Sequence, residues 1–226
     1  MEAGEKVKSV FDGHSAKYDA WYARNAYAYL SELIALEAAL PEKGKKIEIG
    51  VGTGRFALPL KVKYGIDPSK NMLKIAAARG VRVKQSFGED IPYKERSFDA
   101  ALIMVALSFV RDPEKVVLEA ARILRRGGVL VVGMIDGDSF LGNHYRRKKG
   151  SFYINANLLS VEKVSGLMRK AGFRRLSYTQ TIFRLPGDMR SVHKVTKGHG
   201  KGGFVVIRGK LTKSRLNLSP VHPNPA

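Results

Sequence analysis

The apolar positions of this chain change period several times between its ends. Leu30, Leu33, Leu36 and Leu40 recur at three- to four-residue steps in an Ala- and Glu-rich stretch. That stripe predicts a helix over 28–40, stopped by Pro41. Short apolar runs and helical stripes then alternate. Residues 47–50, 62–66 and 81–85 read as three strands, with a short helix at about 53–58 that Pro59 has to end. Ser69 is placed to cap a helix running to Gly80, a residue type that suits the position past a helix end. Residues 98–104 are nearly continuously apolar, as in a strand buried on both faces. Pro113 opens a helix whose Val116, Val117, Ala120, Ile123 and Leu124 form one stripe, and Gly127-Gly128 is expected to end it. Another buried strand follows at 129–135. Residues 136–158 show no clear period. Ser160 caps a helix to about 171, and 173–184 and 204–208 read as two late strands. The stretch from Leu211 onward, with Pro220, Pro223 and Pro225, is expected to be a disordered tail.

Strands alternating with helices predict an α/β fold with a mostly parallel sheet between two helical layers. In such sheets a ligand sits beyond the carboxyl ends of the strands. The 226 residues fit one domain with decorations, and 44% apolar content is enough for a core. No apolar run approaches the roughly 20 residues of a membrane span. The first residues do not read as a signal peptide, so a cytoplasmic location is expected. Without cysteine, disulfides, thiolate metal sites and cysteine nucleophiles are excluded, and no metal site is expected.

Charge changes the picture only in part. The formal net charge is +20, but residues 1–40 carry four Lys/Arg against six Asp/Glu, whereas 151–226 carry fourteen against two. That asymmetry suits either a solvated basic face or a nucleic-acid footprint. The basic residues are scattered over many elements and are not interleaved with aromatics.

The chemistry concentrates in Ile47-Glu48-Ile49-Gly50-Val51-Gly52-Thr53-Gly54-Arg55-Phe56. Glycines directly after a strand permit a tight turn and a close backbone approach to a ligand. A dinucleotide fingerprint would need glycine where Arg55 stands, and no window supplies a Lys-Ser/Thr phosphate loop. Asp67 then ends the second strand, at the tip next to the glycine turn. A carboxylate there can receive two vicinal ribose hydroxyls. Gly88-Glu89-Asp90-Ile91-Pro92 and Ser97-Phe98-Asp99 follow.

This order of motifs resembles that of class I S-adenosylmethionine-dependent methyltransferases, in particular the small-molecule subgroup of ubiquinone/menaquinone C-methyltransferases. The resemblance covers about residues 10–210 and is densest between 47 and 135. It implies a Rossmann-like doubly wound sheet, mostly parallel with a late antiparallel strand, and S-adenosyl-L-methionine as cofactor. Glu48, Gly50, Gly52, Thr53 and Gly54 would surround the methionyl and ribose parts, and Asp67 would hold the ribose. Ser69 and Met72 would flank the adenosine, Gly88, Glu89 and Asp90 would edge the adenine, and Val105 would contact the cofactor through its backbone. Relatives often carry aspartate where Phe87 stands, so here Glu89, Asp90 or a backbone carbonyl would have to receive the adenine amino group. Phe11-Asp12 and Tyr18-Asp19-Ala20-Trp21-Tyr22 resemble a helix that closes over the cofactor in the same subgroup. The implied organisation is a helical lid over 1–40, a cofactor domain over 41–210 with an acceptor-binding insertion at about 137–158, and the tail.

A sulfonium methyl is already electrophilic, so such a site has mainly to align an acceptor and exclude water. A single base suffices. His14, His144 and His193 are the histidine candidates, and Trp21, Tyr145, Phe152 and Tyr153 are candidate acceptor contacts. The motif that positions an exocyclic base amine is missing after the fourth strand, where Val105-Ala106-Leu107-Ser108 stands. The expected reaction is therefore methyl transfer to O, N or C of a small molecule. An RNA methyltransferase using the basic C-terminal third and a non-catalytic cofactor-binding module remain as alternatives. Gly198-His199-Gly200-Lys201-Gly202-Gly203 is expected to be a hairpin connection.

Overall fold

The computed structural model describes residues 15–148 and 156–212. Two helices, α1 (Ser15–Arg24) and α2 (Ala26–Ala39), lead into β1 (Lys46–Ile49). The alternating part runs through β2 (Tyr64–Asp67), α3 (Lys70–Ala78), β3 (Arg82–Gln85), β4 (Phe98–Met104), α4 (Pro113–Ile123) and β5 (Leu124–Ile135). It ends with α5 (Phe140–Arg147), α6 (Val161–Lys170), β6 (Phe173–Thr181), β7 (Thr196–Lys197) and β8 (Phe204–Leu211).

All eight strands form one sheet in the order β3-β2-β1-β4-β5-β8-β6-β7. The first five pair in parallel. β8 inserts antiparallel between β5 and β6, and β7 adds antiparallel to β6. The order reverses between β1 and β4, so the switch-point crevice opens at the glycine turn that follows β1. Side-chain alternation divides the core between the two faces. Ala100, Leu102, Met104, Val129 and Val131 pack on one side with Leu36 of α2 and Leu73 and Ala76 of α3. Ala101, Ile103, Leu130 and Val132 pack on the other with Val116 and Val117 of α4 and Val164 and Met168 of α6. This is the expected three-layer sheet.

Five expectations need correction. Residues 52–61 form turns instead of a short helix, with helical bonds from Leu58 N–H to Gly54 O (3.1 Å) and from Leu60 N–H to Phe56 O (3.2 Å). Pro59, between them, has no N–H to join them into a regular ladder. α4 ends at Ile123, not at Gly127-Gly128, because Leu124 already pairs with Phe98. Gly127, at φ +79°, instead lets β5 bulge before the register resumes at Val129. The aperiodic stretch 136–158 contains a helix, α5, capped by Ser139 Oγ on Gly142 N (3.1 Å). Leu211, assigned to the tail, is a buried residue of β8. The loop 198–203 also closes no hairpin between neighbours: β7 and β8 flank β6 on opposite sides, so the loop crosses over β6. Gln180 Oε1 holds it there, accepting from Lys201 N (2.9 Å) and Gly202 N (2.7 Å).

Candidate active site

The turn after β1 is built by backbone geometry. Gly50, Gly52 and Gly54 all have positive φ, the region where a side chain is strained. At Gly50 the need is doubled, since a Cβ would stand 2.5 Å from Cβ of Ala106. The N–H groups of Gly50 and Val51 both donate to Ile66 O at 2.9 Å, binding the turn to the neighbouring strand. Asp67 then completes the junction. Its Oδ2 accepts from Gly52 N and its Oδ1 from Ser69 N, each at 2.9 Å. Ser69 in turn caps α3 by accepting from Met72 N. A carboxylate can accept about four hydrogen bonds, enough to be held by backbone and still receive a ligand.

These residues form one side of a cleft of about 1220 Å³, counting its open mouth. Gly50, Gly52, Asp67, Ser69, Met72, Gly88, Glu89, Val105, Tyr18 and Trp21 line it, a convergence of ten of the expected positions. Others lie elsewhere. Glu48 is buried beneath the turn, where burial, then the charge of Asp67, push its carboxyl up against the opposing effect of Ala57 N–H. Gly54 packs against Ala76 and Val81. Thr53 is fully buried and spends its hydroxyl on Asp19 (2.8 Å). Asp90 is exposed and off the cleft wall, whereas Glu89 lines it. Even Glu89 is partly committed, since its Oε1 accepts from Arg111 N at 3.0 Å and Asp112 N at 3.3 Å.

Other elements hold the remaining walls. The segment after β3 is fixed to α4, where Glu119 Oε2 accepts from Ile91 N and Arg122 donates to Ile91 O and Tyr93 O, each at 2.8 Å. Val105 follows β4 at φ +57°, costly for a β-branched residue, and its N–H is held by Gly133 O at 2.7 Å. Backbone strain of about 1–3 kcal/mol clusters at binding sites. α1 forms the roof. Tyr18 Oη lies 3.2 Å from Tyr22 Oη, and Tyr22 meets Trp21, Tyr29 and Phe56 edge-on.

Sequence reasoning missed what ties α1 down. Asp19 accepts from Thr53 Oγ1 (2.8 Å), Arg55 Nε (3.1 Å) and Arg79 Nη2 (2.5 Å), and Arg79 Nη1 also reaches Thr53 O (2.8 Å). Arg55, noted only for displacing a glycine, also stands over the rings of Tyr22 and Tyr29. Burial works to raise the Asp19 carboxyl, but the hydrogen bonds from Arg79, Thr53 and Arg55 outweigh it and hold it below the usual value. Its stabilisation is therefore complete above the unfolded carboxylate range and lost as pH falls through the lowered value. Asp19→Ala is expected to cost about 2 kcal/mol, allowing for solvent screening, and roughly 5 °C of Tm at pH 7. Thermal melts should show that difference closing below about pH 4.

The histidine candidates do not meet in the cleft. His144 is half-buried on α5 and lies off the cleft wall, while its neighbour Tyr145 turns inward and is buried. Tyr145 also stands off the cleft wall, as part of the buried core. His193 is a loop clamp, with Nδ1 accepting from Phe183 N (3.0 Å) and its own N–H donating to Ser31 Oγ (2.9 Å). His14, Phe152 and Tyr153, with Phe11-Asp12, lie outside the described residues.

Comparison with known proteins gives this cleft its class. Residues 47–132 match the methyltransferase domain family. An uncharacterized protein of Methanocaldococcus jannaschii is 46% identical over 201 residues, covering 88% of this chain and 97% of that one. A solved S-adenosylmethionine-dependent methyltransferase of Thermotoga maritima, described as a possible histamine N-methyltransferase, superposes with a TM-score of 0.88. It is 45% identical, over 91% of this chain and 100% of its own. The chain belongs to the S-adenosylmethionine-dependent methyltransferases.

A phosphatidylethanolamine N-methyltransferase of Cereibacter sphaeroides is 34% identical to this methyltransferase over 132 residues, 53% of the chain and 57% of that protein. S-adenosyl-L-methionine is its cofactor, and the residues present fit it. The glycine turn leaves backbone in reach where a Cβ would not fit, and Asp67 presents an acceptor beside it. When bound, the cofactor supplies an electrophilic methyl on sulfur. The protein's part is to hold it, align an acceptor and keep water out. Among the described residues no helix is long and apolar enough to cross a membrane.

Proposed function

We propose that the methyltransferase acts on a small-molecule acceptor, with Asp67 holding the cofactor ribose, Ser69, Met72 and Gly88 flanking the adenosine, and α1 serving as a lid. The observation that carries this reading is the roof. Tyr18, Trp21 and Tyr22 cross the cleft above the glycine turn, so the acceptor side is a pocket roofed by aromatic side chains. A pocket suits a compact molecule and not a nucleic-acid duplex. The motif order shared with the ubiquinone/menaquinone C-methyltransferases supports a small acceptor, although it concerns the cofactor half and does not choose the acceptor atom. The substrates named for the Thermotoga and Cereibacter proteins are small molecules and lipids, not polymers.

The competing reading, an RNA acceptor, draws on the basic C-terminal third. Incubating the protein with methyl-labelled S-adenosylmethionine and separate small-metabolite and RNA fractions decides between them. Label is expected in the small-molecule fraction, and filter binding to RNA should be weak at physiological salt. Label confined to RNA overturns the proposal.

A further inference from the structure

The outward face of α2 is nearly as apolar as its inward one. Ala28, Glu32, Ala35, Leu36 and Ala39 are buried on the inward side. The exposed positions are Ala26, Tyr27, Leu30, Ile34, Glu37 and Ala38, and Glu37 is the one charged side chain among them. Tyr27, Leu30 and Ile34 keep 45%, 41% and 47% of their surface. Steps of three and four residues line them up in one stripe. A helix that is apolar all round belongs in an interior, and a contiguous exposed apolar patch marks an interaction surface.

Neighbouring loops extend the stripe. Ser31, on one flank, accepts from His193 N at 2.9 Å, which brings the exposed Val192 alongside. Tyr29, on the other flank, donates to Arg55 O at 3.0 Å, in the turn that also presents the exposed Leu58. Five of the eight large hydrophobic side chains exposed among the described residues therefore gather here.

Charge selects the occupant. Among the described residues α2 is the one α-helix with no lysine or arginine. A membrane-surface helix or a polyanion site draws on those cations. A chain of net charge +20 repels its own copies over most of its surface, and at α2 that repulsion is weakest. The stripe is also its own complement. Tyr27 and Ile34 lie symmetrically about the point between Leu30 and Ser31, and so do Arg24 and Glu37. Arg24 is exposed beside the start of α2. Asn25 N donates to Trp21 O and Tyr29 N to Asn25 O, both at 3.0 Å, which carries the helical path across that junction. Among the described residues neither Arg24 nor Glu37 makes a side-chain hydrogen bond or a salt bridge.

We propose that α2 is the interface of a homodimer, packed antiparallel against α2 of a second copy across a two-fold axis at Leu30. Each Tyr27 then faces the partner's Ile34, the two Leu30 side chains meet at the axis, and each Arg24 reaches the partner's Glu37. Such pairing is reciprocal, as a two-fold contact demands. The two ion pairs close the apolar strip at its ends and fix the antiparallel sense. A stable interface takes about 800 Å² from each partner, more than one helical stripe offers. Leu58 and Val192 widen it, and dissociation in the micromolar range is expected.

Sedimentation equilibrium of the full-length chain tests this. The wild type is expected to be dimeric at about 100 μM and to dissociate on dilution to about 1 μM. Leu30→Lys sets two like charges at the axis and should weaken the dimer at least ~30-fold, the scale of a hot-spot residue. Position 30 is already exposed, so the Tm and circular dichroism of this variant should match the wild type. Arg24→Glu should weaken the dimer, and adding Glu37→Arg should restore it, a rescue that a merely destabilised fold would not show. The chain has no cysteine, so a single introduced thiol reports proximity without background. Leu30→Cys is expected to form an intermolecular disulfide under mild oxidation, whereas Leu118→Cys, at an exposed position of α4, is not. A wild type that stays monomeric at about 100 μM overturns the proposal and leaves the face to a terminal segment of this chain or to another protein. A dimer that Leu30→Lys leaves intact, or that cross-links through position 118 and not position 30, overturns it too.

Discussion

Asp67→Ala is expected to weaken S-adenosylhomocysteine binding by about a hundredfold, as read by calorimetry. A carboxylate that receives two ribose hydroxyls makes two charge-assisted hydrogen bonds, each worth about 1.5–3 kcal/mol. Losing both while water re-solvates the ligand accounts for about 3 kcal/mol, which is the hundredfold. The substitution also orphans Gly52 N–H and Ser69 N–H, which Asp67 now receives at 2.9 Å. The free protein should therefore melt several degrees lower as well. Comparing the two effects separates them: Ser69→Ala removes only the cap on Met72 N and should lower Tm with a much smaller loss of affinity. An affinity for Asp67→Ala within threefold of wild type would show that the ribose is held elsewhere.

The second large effect concerns stability and runs the opposite way. Glu32→Gln is expected to raise Tm by roughly 10 °C at pH 9 and hardly at all at pH 5. Burial raises the folded carboxyl from its ordinary 4.5 to about 8. Between those values the unfolded chain has released this proton and the folded chain has kept it, so stability falls as pH rises across that window. Above about pH 8 the loss levels off at several kcal/mol, about 1.4 kcal/mol for each unit of displacement. Glutamine carries no such penalty. Melting curves from pH 5 to 9 read the gap directly, and parallel curves for the two proteins would show that Glu32 is not held in its neutral form.

The cofactor half was legible because its chemistry is local. A glycine turn is written in consecutive residues, and Ser69 caps the helix that begins one residue later. The nearly continuous apolar run at 98–104 read as an interior strand, and it is one. The acceptor half was not legible, for two physical reasons. Glu32 sits in an Ala/Leu/Glu helix where glutamate normally faces water, and only tertiary packing of that helix buries it. The Asp19 bonds span 34, 36 and 60 residues, so neither spacing nor periodicity could pair them. Helix ends failed where sheet pairing overrode a local stop signal, as at Leu124 ahead of Gly127.

Arg55 and Arg79 approach each other only because Asp19 stands between them. Residues 47–132, the recognisable family core, contain both cations and lack the anion. A fragment cut to that core would place two guanidinium groups side by side over an open turn, with their mutual repulsion unscreened by protein. The helix α1 is thus a structural counter-ion for the cofactor turn, and engineered boundaries for this protein have to begin upstream of residue 19.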